Sequence, residues 1–307
     1  MIGKTGIPFI KMQGIGNDYI YIDELRGDIP DYLKEENLAE LSRKISDRHF
    51  GVGSDGLILI LPSSKADFRM RIFNADGSEA KMCGNGIRCV GKYVRDLGFT
   101  DKSKISVETN SGIKYLDMIE GPEGVESVIV DMGSPYFLRK EIPAVGNPED
   151  EMNDMEIEME NKIYKVSGVS MGNPHGVVFV NEVDDLDLEK IGRGLETNEI
   201  WPDRANIEFV EVINPEEIKV RVWERGSGET MACGTGACAA TVMSYRKGLT
   251  ASDVKVYLRG GELKISYNAA SNRVKMEGPA EFVAKGEFWT RSGRPAFGRQ
   301  KLRGEGR

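Results

Sequence analysis

Two cysteines stand where a cysteine can serve as acid or base. Cys83 opens Cys-Gly-Asn-Gly and Cys233 opens Cys-Gly-Thr-Gly. Each ends a Gly-rich turn and opens a stretch that reads as a helix, so each thiol falls at a helix N-terminus. Unpaired N–H donors and partial positive charge gather there, and both favour a thiolate. The expectation is that both thiols have lowered pKa values. The N–H groups of Gly84, Asn85, Gly234 and Thr235 are placed to hold an anion, most simply a carboxylate.

The two motifs are one stretch used twice. Phe73 to Gly86 recurs as Trp223 to Gly236, 150 residues later. Arg71/Arg221, Glu79/Glu229, Cys83/Cys233, Gly84/Gly234 and Gly86/Gly236 are identical. Both following helices stop at a glycine, Gly98 and Gly248, suited to a left-handed cap. Gly172-Asn173 lies 156 residues after Gly16-Asn17, and Asp203-Arg204 lies 156 after Asp47-Arg48. Two copies of one unit packed about a pseudo-twofold axis would face their cysteines across a cleft. A thiolate on one side of a carbon atom and a thiol on the other form a base and an acid. Such a pair can remove a proton from one face and return it to the opposite face.

The elements that must position these thiols follow from periodicity. Strands are expected at Pro8 to Gln13, Tyr19 to Asp23, Leu57 to Leu61 and Phe68 to Phe73. Leu38, Leu41 and Ile45 predict a helix over about 37–48. After Cys83, the positions Ile87, Val90, Val94 and Leu97 form one helical face, and strands follow at 104–109, 113–119 and 126–132. In the second half a helix is expected near 188–195. Strands are expected at 177–180, 206–213, 218–223, 254–258, 262–267, 272–277 and 280–284. Residues 149–160 carry seven carboxylates and are read as a solvated hairpin. The division is 1–133, then 134–278, with 289–307 a loose basic tail.

Composition narrows the function. At 307 residues about two domains are expected. A net charge of −8 argues against a nucleic-acid partner. No stretch reaches the roughly 20 apolar residues of a membrane span, and the N-terminus lacks a signal-peptide core, so a cytoplasmic protein with reduced thiols is expected. The other two cysteines, Cys89 and Cys238, fall inside the helices and are expected to be buried packing residues. No Cys-x-x-Cys pair exists and the two histidines are far apart, so no metal site is expected. No pyridoxal phosphate or nucleotide motif is found, and no cofactor is expected.

The segments Gly14 to Asp18, Phe73 to Arg88, Met171 to His175 and Trp223 to Ala237 resemble the diaminopimelate epimerases. Those are pyridoxal-independent enzymes that interconvert LL- and meso-diaminopimelate. The resemblance runs over about 8–285 and implies that a C-terminal strand at about 279–288 returns to the first half. It implies an α/β (α+β) fold of two pseudo-symmetric domains, each a mostly antiparallel curled sheet around a central helix, with the active site between them. It places the catalytic pair on Cys83 and Cys233. It places substrate contacts on Asn17, Asn74, Gly84, Asn85, Asn173, Asn206, Glu224, Arg225, Gly234 and Thr235, with an orienting role open to His175. Arg225 would fork onto a distal carboxylate and Glu224 would receive an ammonium. A homodimer is also implied. One position departs from the pattern: Gly56 stands where some relatives carry a substrate-contacting glutamine. A proline or hydroxyproline racemase of the same fold and a cysteine-dependent hydrolase using His175 are the competing readings.

Overall fold

The structure is a computed structural model describing residues 4–25, 33–160 and 162–291. The first half opens with the hairpin β1 (Lys4–Gly14) and β2 (Asn17–Asp23), turning at Ile15-Gly16, both at positive φ. Helix α1 (Glu35–Ser46) carries the chain across to β3 (Gly56–Leu61), parallel to β2. Parallel neighbours require such a crossover. β4 (Phe68–Asn74) runs antiparallel to β3. The short β5 (Glu79–Ala80) leads into α2 (Gly84–Asp96). A meander of β6 (Lys104–Thr109), β7 (Gly112–Gly121) and β8 (Gly124–Gly133) follows, with β6 parallel to β4.

The second half repeats this plan. β9 (Met155–Met159) and β10 (Lys162–Ser170) precede β11 (Pro174–Phe179), α3 (Leu188–Glu196) and β12 (Asn206–Asn214). Then come β13 (Glu217–Glu224), β14 (Gly228–Glu229), α4 (Gly234–Arg246), β15 (Asp253–Leu258), β16 (Gly261–Asn268) and β17 (Arg273–Pro279). β11 is parallel to β12 and β13 to β15, matching β2 with β3 and β4 with β6. β8 and β17 pair antiparallel at the join, and β18 (Glu281–Arg291) returns to pair with β1. The order in space is β18-β1-β2-β3-β4-β6-β7-β8, then β17-β16-β15-β13-β12-β11-β10-β9. β18 stands beside β1 as β9 stands beside β10.

Each half wraps its sheet around one helix. α2 buries Ile87, Cys89, Val90, Tyr93 and Val94, and each such aliphatic side chain contributes about 1.5–3 kcal/mol. α4 is sheathed all round, so its residues are small: Ala237, Cys238, Ala239, Ala240 and Thr241 are fully buried. The apolar residues around both helices form one continuous core across the join, while α1 and α3 each cover a separate cluster on the outer face of their half. Among the described residues no helix is long and apolar enough to cross a membrane.

Several expectations are corrected. Leu97 does not belong to the buried face of α2; it caps the helix and is 39% exposed. α1 stops at Ser46, short of Arg48, because the Asp47 carboxylate accepts the N–H groups of His49 and Phe50 and turns the chain. Residues 289–291, expected in a loose tail, continue β18; the rest of that tail, 292–307, lies outside the described residues. The acidic stretch is half hairpin: β9 pairs with β10, but Glu149, Glu151 and Asp154 precede it and bridge to Lys140, Arg246 and Lys247.

Candidate active site

The two central helices meet by their N-termini. A Cβ on Gly84 would stand 3.7 Å from Gly234 Cα, and one on Gly234 would stand 3.6 Å from Gly84 Cα. Met276 packs against both, 3.0 Å from each such Cβ. The tight neighbour of both glycines is thus the Met276 side chain, while the two helix starts are in ordinary van der Waals contact. Cys83 and Cys233 are the N-caps, in nearly the same extended conformation (φ −136, ψ 118 and φ −119, ψ 113). Each sulfur accepts the N–H three residues on, Gly86 N and Gly236 N, at 3.4 Å. The side chain of Asn85 ties the two loops together, donating to Ala232 O at 3.2 Å.

The surroundings of the thiols are not alike. Cys83 is partly exposed; its Sγ donates to Asn17 Oδ1 at 3.3 Å, while Asn17 Nδ2 donates to Asp55 Oδ2 at 2.6 Å. Asp55 and Asp18 are both held by Arg48. Cys233 is buried and lies 3.4 Å from Thr235 Oγ1. Behind it His175 and Glu208, both fully buried, share a 2.7 Å hydrogen bond between Nδ1 and Oε1. His175 Nε2 meets Asn173 Oδ1 at 3.0 Å, and Asn173 Nδ2 reaches Thr235 Oγ1 at 3.4 Å. Glu208 Oε1 and Cys233 Sγ lie 2.7 and 3.3 Å from the point where a Gly236 Cβ would stand, which places the carboxylate beside the sulfur.

The expectation of two lowered thiol pKa values is overturned. Burial pushes Cys83 above its ordinary value, against the pull of Gly86 N–H, Tyr19 and Asn85 N–H. Burial pushes Cys233 well above, and the negative charges of Glu224 and Glu208 push it further. A helix N-terminus offers only a fraction of a charge. Desolvation and facing carboxylates exceed it here. Burial also raises the Glu224 carboxyl, against the hydrogen bond it accepts from Thr230 Oγ1 at 2.5 Å.

The remaining residues singled out from sequence fall around this centre. Asn206 is buried and its Oδ1 accepts Arg225 N at 2.8 Å. The Arg225 guanidinium is exposed and donates to Asp203 O. Asn74 sits across β3 from Tyr19 and donates to Ser78 Oγ at 3.0 Å. Gly56 has a physical reason: a Cβ there would collide with Phe73 O and stand 2.9 Å from Tyr19 Cε1, so this backbone excludes a glutamine. Cys89 and Cys238 are fully buried, their thiols raised by burial to about 11 and about 12.

Sequence reasoning missed Tyr19, Asp55, Arg88 and Glu208. The repeat offered a signal for two of them. At offset 156 Tyr19 corresponds to His175, and at offset 150 Ile58 corresponds to Glu208. A glutamate facing the core of a strand whose counterpart carries isoleucine marks a place where the halves diverge.

The chain matches the family described as diaminopimelate epimerase over residues 9–138 and 167–283. A diaminopimelate epimerase of Methanococcus maripaludis strain C6 is 50% identical over 280 residues, 91% of this chain and 99% of the relative. One from Acetivibrio thermocellus is 50% identical over 279 residues, 91% and 97% of the two chains. Among solved structures, a hydroxyproline epimerase from Agrobacterium vitis superposes with a TM-score of 0.67 at 13% identity, over 96% of this chain and 94% of its own. A phenazine biosynthesis protein of the PhzF family from Bacillus anthracis gives 0.66 at 20% identity, over 92% and 99%. These two likenesses concern the fold alone. With two thiols capping two abutting helices and half-identical relatives along nearly the whole chain, this protein is an isomerase of the diaminopimelate epimerase family.

Proposed function

We propose that the protein interconverts LL- and meso-diaminopimelate by moving the α-proton between Cys83 and Cys233, for the synthesis of lysine and peptidoglycan precursors. The observation that supports this reading is the head-to-head contact of Gly84 and Gly234, the residues that follow the two N-capping cysteines. One cysteine, as thiolate, takes the α-proton and becomes a thiol. The other, as thiol, protonates the opposite face of the carbon and becomes the thiolate. The roles exchange for the reverse reaction. The α-carboxylate sits against the N–H groups of Gly84, Asn85, Gly234 and Thr235. There it spreads the charge that develops as the proton leaves. Asn17, Asn74, Asn173 and Asn206 hold the polar ends without net charge, Glu224 receives an ammonium, and Arg225 forks onto the distal carboxylate. His175 orients Asn173. The chemistry uses no cofactor and no metal.

The hydrolase reading loses support, because both ring nitrogens of His175 are engaged by Glu208 and Asn173 rather than by a thiol. A racemase acting on proline has no distal carboxylate for the exposed Arg225 guanidinium to fork onto. The same reading places the protein in the cytoplasm, where both thiols stay reduced. It also makes the protein a homodimer: β18 pairs only with β1 among the described strands and exposes Phe282, Val283 and Trp289, which a second copy would cover. Analytical ultracentrifugation checks the dimer.

The deciding experiment is proton NMR in heavy water with LL-diaminopimelate and no added cofactor. The α-proton signal should vanish as the meso isomer grows, and Cys83→Ala and Cys233→Ala should each lose epimerisation. Full activity in either variant overturns the two-thiol assignment. No exchange by the reduced wild type overturns the substrate.

A further inference from the structure

Glu196 closes α3 and is only 4% exposed. A helix C-terminus gathers partial negative charge, and burial strips a carboxylate of water, so a glutamate here needs partners. Its two oxygens have separate ones. Oε2 accepts Trp223 Nε1 at 2.8 Å, and Oε1 accepts Gly226 N at 2.9 Å. Arg204 Nη1 lies 3.5 Å from Oε1. Gly192, four residues earlier on the same face of α3, packs against the Trp223 ring: a Cβ there would stand 2.7 Å from Trp223 Cγ and Cδ2. The helix thus receives the indole at one turn and bonds its N–H at the next.

These two bonds flank the pair Glu224-Arg225. Three successive N–H groups of that turn are held. Arg225 N goes to Asn206 Oδ1 at 2.8 Å, Gly226 N to Glu196, and Ser227 N to Glu224 O at 3.0 Å. Residues 225–227 are exposed, and an exposed turn keeps one shape only as far as its backbone is tied down. The first half supplies the contrast. At offset 150, Asn74-Ala75 stand where Glu224-Arg225 stand. There α1 ties the loop with a hydroxyl, Ser42 Oγ donating to Phe73 O at 3.1 Å and to Asn74 O at 2.8 Å. The buried carboxylate belongs to the half whose loop carries the charged pair.

We propose that Glu196 is a positioning residue for substrate recognition: by holding the Trp223 indole and the Gly226 N–H, it fixes the turn from which Arg225 reaches the distal carboxylate. Glu196 itself touches no substrate. A guanidinium forks onto a carboxylate only when two N–H groups meet two oxygens, so the backbone behind Arg225 has to be set in advance. This rests on the diaminopimelate reading, in which Arg225 takes that carboxylate. Glu196→Gln keeps the size and one acceptor oxygen, but it turns an NH2 group towards one of the two N–H donors and so releases one bond.

The test is a double-mutant cycle on the full chain, with initial rates of epimerisation of LL-diaminopimelate. Glu196→Gln should raise KM about tenfold and leave kcat within about twofold, because Arg225 is assigned to the end of the substrate that does not react. Arg225→Ala should raise KM at least as much, and adding Glu196→Gln to it should raise KM no further. An unchanged KM in folded Glu196→Gln, a loss carried by kcat instead, or the same rise with Arg225 absent overturns the proposal. The wild type gives a check that needs no variant. The Gly226 amide should exchange in heavy water at least about tenfold more slowly than an unstructured glycine amide. If Glu196→Gln does not fold, this exchange decides, and an unprotected Gly226 overturns the proposal. An unmoved KM in Arg225→Ala would instead refute the distal-carboxylate reading, and the proposal with it.

Discussion

At the scale of single residues, the two thiols are made unequal by what stands behind them. The repeat places Cys83 and Cys233 alike, each capping a helix and accepting one N–H. The divergence comes from the strand beneath. Gly86 faces Ile58, whereas Gly236 faces the carboxylate of Glu208, and Tyr19 in one half becomes His175 in the other. Glu208 Oε2 is buried without a hydrogen-bond partner, and the charges of Glu224 and Glu208 add to burial in raising Cys233. Glu208→Gln should therefore lower the pH at which Cys233 is alkylated by about one unit, while Cys83 keeps its midpoint. Mass-spectrometric alkylation rates against pH check this, and an unmoved Cys233 midpoint contradicts it. The positions of both thiols could be read from the sequence, because cysteine, glycine spacing and duplication coincide there. Their pKa directions could not. A helix N-terminus is visible in sequence, but burial and facing carboxylates belong to the tertiary structure.

At the scale of elements, the helix junction explains which glycines matter. Gly84→Ala would bring a methyl to 3.0 Å from the flexible end of Met276 and 3.7 Å from Gly234 Cα. Met276 can yield, so stability should fall by no more than about 1–2 kcal/mol. The methyl nevertheless stands between the two helix starts. We expect kcat/KM to fall by roughly tenfold or more, as small misplacements at a reacting centre do; calorimetry beside steady-state kinetics separates the two effects. A second test concerns the turn into β4. Asp67 accepts Ser106 N and Oγ and pairs with Lys102, and the Lys102 contact chiefly holds its carboxyl at about 2, below the ordinary 3.8. A depressed carboxylate stabilises the fold above its unfolded value and loses that contribution as pH falls towards 2. Asp67→Asn should thus lower Tm at pH 7, with the difference closing between about pH 4 and 2. The strands were legible from alternation, α2 from its apolar face and α4 from the repeat of the Cys-Gly-x-Gly motif. What could not be read was where α1 ends, since the Asp47 turn competes with helical hydrogen bonds using local groups no periodicity reveals.

At the scale of the whole molecule, the duplicated order of strands leaves one element borrowed. β9 is supplied to β10 from just before it in sequence, but β18 reaches β1 only after the chain has built the entire second half. The first half is thus incomplete until the last described residues are in place. β18 matches β1 from Lys4↔Arg291 to Gln13↔Glu281, against five matched pairs for β9 with β10. It also brings Phe288 onto the core under α1, where Ile7 is fully buried. Ending the chain after Ala280 would leave the outer edge of β1 unpaired and expose that core, while keeping Pro279, whose carbonyl holds Arg88. The loss of a long ladder and a half-buried aromatic should lower Tm by more than about 5 °C and promote edge-to-edge association. Because α2 and α4 share one continuous core, the unfolding should remain a single transition, with the second half destabilised along with the first. Differential scanning calorimetry on the truncated chain is the check. Two separated transitions, with the later one at the wild-type Tm, would mean that the halves fold independently and that β18 completes only its own side.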